Sequence, residues 1–252
     1  MSASLVHPRP RAVGWLGLVL AILTVCVVPR RALACGAGTG GAAGISGCSL
    51  EEHEEEARLK WRVGASYAFT STGLHFTGGL RVDEIRNSSV VAIDYRPVPR
   101  LTLEAGAGPF LGGSITALGT RYSLAPGFAS TVGGSWRLVD ADGAVPFVLL
   151  TGQLSYISTT TTPSIGYNAF DLRLGGVVGT TLWHAWTPYV VARAFGGPVY
   201  WRFNGAGVIG TDDHHWQIGG GFSLRIGSRI DLFAEGVPLG ELGVAAGAGY
   251  SF

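Results

Sequence analysis

Leu242-Gly243-Val244-Ala245-Ala246-Gly247-Ala248-Gly249-Tyr250-Ser251-Phe252 is the stretch on which the reading of the fold turns. Val244, Ala246, Ala248, Tyr250 and Phe252 share one parity, and Gly243, Ala245, Gly247, Gly249 and Ser251 share the other. A period of two describes an extended strand, here with a larger apolar face opposite a face of small residues. The pattern runs to the last residue, where a soluble chain ordinarily leaves a frayed, polar tail. A strand of about ten residues that is apolar on one side has the length to cross a bilayer at a tilt.

Phe252, with Tyr250 two positions before it, resembles the closing strand of bacterial outer-membrane β-barrels. The resemblance implies an all-β fold, an antiparallel transmembrane barrel set in outer-membrane lipid. It also implies that Tyr250 and Phe252 are the signal by which the barrel-assembly machinery recognises the chain. It covers only this strand, so the rest of the sequence has to carry the fold independently.

Composition agrees. A chain of 252 residues is expected to form one domain. Its 40 glycines and 14% charged residues are unusual for a soluble globular domain. Past the N-terminal segment there is no long apolar run, so the hydrophobicity is dispersed in alternation. Many short strands with Gly-rich turns point to a barrel or a sandwich. Four of the 18 basic residues (Arg9, Arg11, Arg30, Arg31) precede position 35 and all 17 acids follow it. A chain starting at Cys35 is therefore acidic, and nothing in that balance indicates nucleic acid.

Arg9 and Arg11 precede an uncharged apolar run from Ala12 to Val28, followed by Pro29 and Ala32-Leu33-Ala34. These are the basic, apolar and small-residue parts of a secretory signal peptide over residues 1–34. A membrane anchor is the rival reading, since the run just reaches spanning length and Arg30 and Arg31 follow it. Lipidation of Cys35 is a further alternative, although Ala32 stands where a large aliphatic residue is usual. Residues 35–59 read as an acidic, Gly-rich periplasmic lead-in and as a place for a periplasmic partner to bind. Cys26 leaves with the signal peptide, so a Cys35–Cys48 disulfide is the simple inference in an oxidising compartment. A metal site from Cys35, Cys48, His53 and a Glu matches no zinc spacing. The run Glu51–Glu56 reads as a solvated helix or a disordered segment.

Residues 60–252 carry the barrel. Trp61, Val63, Ala65, Tyr67 and Phe69 alternate with polar or small neighbours, as do Val91, Ile93 and Tyr95, and then Leu101, Leu103, Ala105 and Ala107. A fourth strand places Leu124, Phe128, Val132, Trp136 and Leu138 on one face. Val148–Tyr156, Phe170–Val178, Tyr189–Phe203, Trp216–Ile226, Ile230–Glu235 and the C-terminal strand bring the total to ten. Eight or twelve strands are the alternatives, because boundaries are the weakest part of such a reading. An even count puts both termini on the periplasmic side. The connections 96–100, 140–145, 183–187 and 227–229 then read as periplasmic turns. Those at 74–89, 112–120, 159–167 and 204–215 read as longer outer loops, and 237–241 as a short one. Trp61, Tyr95, Trp136, Trp183, Trp186, Tyr250 and Phe252 form a periplasmic aromatic belt, with Trp201 and Trp216 in an outer one. Alternation alone does not separate this barrel from a soluble β-sandwich.

The inward parity carries Arg62, Asp94, Glu104, Arg137, Asp171, Arg173, Arg193, Arg225, Asp231 and Glu235, five bases and five acids. A pore selecting by charge presents a ring of one sign. A narrow barrel with mixed charges is instead expected to be salt-bridged and filled, a narrow water-filled channel being the alternative.

The one dense polar constellation is Asp212-Asp213-His214-His215, with two overlapping Asp-x-His pairs in the fourth outer loop. It resembles the Asp–His pair of the ten-stranded outer-membrane proteases of the omptin family. That resemblance implies a His base acting on water, with carboxylates opposite. The sequence departs from the pattern: the second outer loop has no carboxylate, and the first offers only Asp83-Glu84. Surface metal binding by His214 and His215, or a plain solvated loop, are the other readings. His75 has no Ser-His-acid spacing around it, His184 reads as an interface residue, and Asn87-Ser88-Ser89 is a glycosylation sequon out of place in a bacterial barrel. No phosphate-cradling loop, resident metal or cofactor is expected. The expected function is a non-enzymatic outer-membrane barrel, structural or a narrow solute channel. A surface hydrolase using Asp212–His215 and an interaction module using residues 35–59 are the alternatives.

Overall fold

The computed structural model describes residues 60–140, 145–162, 165–183, 185–203 and 205–252. The signal peptide, the lead-in, Cys35, Cys48, His53 and His184 lie outside them. Thirteen strands make one antiparallel sheet: β1 (Trp61–Phe76), β2 (Leu80–Val98), β3 (Leu101–Ala117), β4 (Thr120–Leu124), β5 (Gly127–Val139), β6 (Phe147–Thr161), β7 (Ile165–Gly179), β8 (Trp186–Gly196), β9 (Val199–Phe203), β10 (Ala206–Asp212), β11 (Trp216–Ile226), β12 (Ile230–Leu239) and β13 (Leu242–Ser251). Among the described residues no helix is long and apolar enough to cross a membrane.

The sheet closes on itself. β13 pairs with β1 from Arg62↔Ser251 to Ser71↔Leu242, and backbone bonds in both directions tie Phe252 to Trp61. Three pairs of strands are single strands with an interruption: β4/β5 at Ala125-Pro126, β8/β9 at Gly197-Pro198, and β10/β11 at Asp213–His215. Each such pair occupies one place in the wall, which gives a ring of about ten strands. The chain is a closed antiparallel β-barrel, and the sandwich alternative falls.

The two shortest full strands, β12 and β13, end early. Above their turn, β1 pairs directly with β10 through Leu74↔Asp212, His75↔Thr211 and Phe76↔Gly210. The wall therefore loses two strands at that height and continues as β1, β2, β3, β4, β6, β7, β9 and β10.

Surface chemistry changes at the same level. Lower down, the outward parity is apolar: Val63, Ile93, Leu103, Val132, Leu150, Leu172, Val190, Phe222, Leu232 and Val244 are all exposed. Trp61, Tyr95, Trp136, Trp186 and Tyr250 bound this band at the end that holds Lys60 and Phe252, and Phe128, Tyr156, Phe170 and Trp216 at the opposite end. Trp136 and Phe128 lie on one strand, eight residues apart. At about 3.3 Å per residue and a tilt of roughly 40° that spans about 20 Å, close to the lipid band of outer-membrane barrels. Tyr67 and Tyr156 donate hydrogen bonds to Asn87 and Asn168 at 2.7 and 2.9 Å, marking where the exterior turns polar. Above that line the exterior carries His75, Arg81, Asp83, Arg121, Arg202 and Thr211, while the interior becomes apolar. The barrel is thus apolar outside and ionic inside across the lipid band; beyond it the exterior is polar and the interior passes from an ionic layer to an apolar one.

Three expectations are corrected here. The segments read as long outer loops are mostly strand, because β1–β4, β6, β7, β9 and β10 run past the lipid band to tight turns such as Thr77–Gly79 and Leu118-Gly119. Leu124 does not share a face with Phe128. Pro126 has no N–H for the ladder, the strand breaks there, and Leu124 faces inward, buried, while Phe128 faces out. Trp201 is not in the outer belt; it is buried inside the barrel, because it keeps the inward parity of Arg193 and Phe195 across the Gly197-Pro198 break.

Candidate functional site

A barrel's function resides in its lumen, and here the lumen is built in layers. At the end that holds Lys60 and Phe252, Arg62 from β1 reaches over β13 to Asp231 on β12, donating at 2.8 and 2.6 Å, and donates to Asp94 on β2 at 2.7 Å. The small face of β13 makes this reach feasible: Gly249 lies under the guanidinium and Gly247 under the ring of Phe233. Phe147, Leu149, Val177, Tyr189 and Val191 fill the lumen beside and above this pair.

Midway, Arg193 binds Glu235 through two hydrogen bonds of 2.7 and 3.0 Å, with the Tyr189 hydroxyl donating to the same carboxylate at 3.3 Å. Glu104 shares this level with Arg173, Arg193, Gln153 and a cluster of glycines, around a space of about 20 Å³. A volume of that order admits about one water molecule, not a solute stream.

Higher still, Arg173 donates to Asp171 at 2.7 Å and to Gln217 at 3.0 Å, and its guanidinium lies 2.7 Å from Glu241. Arg86 approaches Glu241 from the other side at 3.0 Å and Glu84 at 3.6 Å. Tyr167 donates to Glu84, and Thr72 donates to Asp212 at 3.3 Å. Glu241 sits at the turn between β12 and β13, so that the hairpin is fastened into the lumen by its own tip. Above this layer an apolar core seals the narrowed section: Leu74, Phe76, Phe110, Ile115, Tyr167 and Trp201 are each 2% exposed or less. Trp201 contacts the rings of Phe76, Tyr122 and Phe203 at 5.9, 5.5 and 4.8 Å.

The structure buries eight of the ten charges read as inward and leaves Arg137 and Arg225 half-buried toward the end that holds Lys60 and Phe252. It does not leave the lumen balanced. Glu84, Arg86, Asp212 and Glu241 also point inward, so that among the described residues eight buried carboxylates face four buried arginines. Sequence reasoning missed these four because it took their segments for loops. Had the alternation been followed past Ser89, Val82-Asp83-Glu84-Ile85-Arg86 would have shown Glu84 and Arg86 on the parity of Asp94.

The Asp212–His215 constellation is not assembled as a loop site. Asp212 ends β10 with its side chain buried in the lumen, whereas Asp213, His214 and His215 are exposed at the strand interruption. His75 lies 3.9 Å from Asp213, and the His215 ring stands 3.3 Å from the backbone oxygen of Phe195. Asp83 faces out and Glu84 faces in, so they do not form a carboxylate pair opposite the histidines. Among the described residues no group of three or more His, Cys, Asp or Glu side chains is arranged to hold a metal ion.

No family model matches the chain, and no curated protein does. Among solved structures it is similar to the outer membrane protease OmpT from Escherichia coli, at 11% identity and a TM-score of 0.48, over 77% of this chain and 97% of that one. It is also similar to the translocator domain of the autotransporter NalP from Neisseria meningitidis, at 12% identity and a TM-score of 0.43, over 79% and 92% of the two chains. A third likeness is to the COG4313 outer membrane channel from Pseudomonas putida F1, at 14% and 0.39, over 81% and 100%. A protease, a translocator and a channel share one architecture, so these likenesses do not choose an activity. The barrel itself rests on the closed pairing of its own strands.

Proposed function

We propose that this chain is a non-enzymatic β-barrel of the bacterial outer membrane whose resting lumen is closed, and that its role is structural or that of a narrow path opened only on demand. The supporting observation is the continuous filling of the interior, from the Arg62 pairs through the Arg193–Glu235 and Arg173–Glu241 pairs to the apolar layer around Trp201. Ion pairs held by two or three short hydrogen bonds inside a sealed barrel are kept by the loss of any water to compete for them. An open pore needs a continuous hydrated path, and a layer of apolar side chains with no exposure interrupts one.

Planar-bilayer recording of the detergent-folded protein tests this reading. The expected trace is quiet, and steady conductance by the unaltered chain would overturn the closed resting state. Peptide or lipid turnover that disappears in His214→Ala would overturn the non-enzymatic part.

A further inference from the structure

The layer beneath the apolar plug is electrically unmatched. Glu84 and Arg86 reach it from β2, Asp171 and Arg173 from β7, Asp212 from β10 and Glu241 from the β12–β13 turn. Four carboxylates thus face two guanidinium groups, all nine-tenths buried or more. The other neighbours do not mend the difference. β1 contributes only the hydroxyls of Thr70 and Thr72, β7 the phenol of Tyr167, and β11 the amide of Gln217. Arg193 on β8, the next base below, is engaged with Glu235 of β12, and Glu104 of β3 at that level adds a further acid.

A second observation points the same way. Glu84 Oε2, Asp171 Oδ1, Gln217 Nε2, Ser88 Oγ and Ser155 Oγ are buried in or beside this layer with no hydrogen-bond partner. An ionised carboxylate oxygen in that state is strongly disfavoured, whereas a protonated one is both uncharged and a donor. Two uncompensated negative charges under an apolar seal repel one another with little water to screen them.

We propose that this layer is a proton-binding site and that its occupancy determines how firmly the apolar plug is seated. With protons bound, charge is matched and the outer end is closed. As the proton on Asp212 leaves to solvent with rising pH, the unmatched negative charge of the layer grows and the β12–β13 tip loosens from Arg86 and Arg173. Asp212 lies beyond Trp216 and above the lipid band, and burial pushes its carboxyl up to about 7 against the pull of Arg86. A carboxyl raised on folding stabilises the folded state below its unfolded value and loses that contribution as pH rises through the folded one. The sign is opposite to that of an ordinary salt-bridged acid. The proposal rests on the closed lumen described above for its consequence, but not for its test.

The experiment is the thermal midpoint of the folded-to-unfolded band shift of detergent-folded protein at about pH 5.5 and about pH 8.5. The unaltered chain is expected to have the lower midpoint at the higher pH. Asp212→Asn is expected to flatten that dependence and to exceed the unaltered chain at the higher pH. Glu84→Gln, which still accepts from Tyr167, provides the same comparison should Asp212→Asn fail to fold. A flat profile in the unaltered chain, or variants that keep its slope, overturns the proton site. Bilayer recording separates the two readings. Brief openings more frequent at high pH support both, and steady conductance at both pH values removes the closed lumen while the midpoints still judge the proton site.

Discussion

Gly249→Ala is expected to destabilise the barrel, against the usual rule for a glycine inside a strand. Gly249 is in β13, paired with Gly64 on one side and Asp231 on the other, and its backbone is ordinary extended chain. By propensity alone, alanine there should stabilise by about 0.5–1 kcal/mol. A Cβ at this position, however, would stand 2.1 Å from Nη2, 2.2 Å from Cζ and 2.3 Å from Nε of Arg62. The guanidinium would have to retreat by more than an ångström, and it is pinned by three hydrogen bonds of 2.6–2.8 Å to Asp94 and Asp231. Hydrogen bonds to charged groups contribute about 1.5–3 kcal/mol each, and breaking a buried ion pair costs about 3–5 kcal/mol. Loss of the Asp231 fork outweighs the propensity gain, for a net loss of about 2–4 kcal/mol.

The assay is urea unfolding of detergent-folded protein, run as a double-mutant cycle with Arg62→Met. Gly249→Ala should cost most of its effect in the native background and little in Arg62→Met, where nothing charged lies over the glycine. A neutral or stabilising Gly249→Ala, or equal effects in the two backgrounds, would refute the placement of Arg62 across the closing seam.

Three further outcomes follow from the same geometry. Trp201→Ala removes a side chain packed on three aromatic rings and should cost about 3–5 kcal/mol. It should also bring intermittent conductance in planar bilayers, whereas Trp216→Ala, on the lipid side, should leave the trace quiet. Val132→Arg puts a charge on the outer face between Trp136 and Phe128 and should cost about 2–4 kcal/mol when unfolding is measured from lipid vesicles. Leu118→Gly should stabilise by about 1–2 kcal/mol in the same urea titration, because Leu118 adopts φ +49° at the β3–β4 turn with its side chain 79% exposed.

How much of this was legible in the sequence depends on which side of the wall supplies the signal. Across the lipid band both faces are informative, since lipid demands apolar residues outside and the filled lumen tolerates charge inside. Arg62, Asp94, Arg173 and Glu235 could therefore be assigned by parity, and so could Val191 and Phe195, once Arg193 was turned inward. Beyond the band the exterior turns polar, while the interior holds first an ionic layer and then an apolar one. Polar residues then lie on both faces, Asp83 outside and Glu84 and Arg86 inside, and a reader expecting loops sees only a loss of hydrophobic alternation. Glu84, Arg86 and Asp212 fell in that zone, with Trp201 and Leu124 beside them. The short turn at 237–241 was read from the sequence; what sequence could not supply was that the neighbouring strands continue past it, which leaves β12 and β13 the short pair in the wall. That shortness lets β1 pair with β10 and brings Glu241 between Arg86 and Arg173. The small face of β13 has the same origin. Its glycines read as a weak strand when taken alone, yet with Arg62 and Phe233 lying across them they are the floor on which the barrel closes.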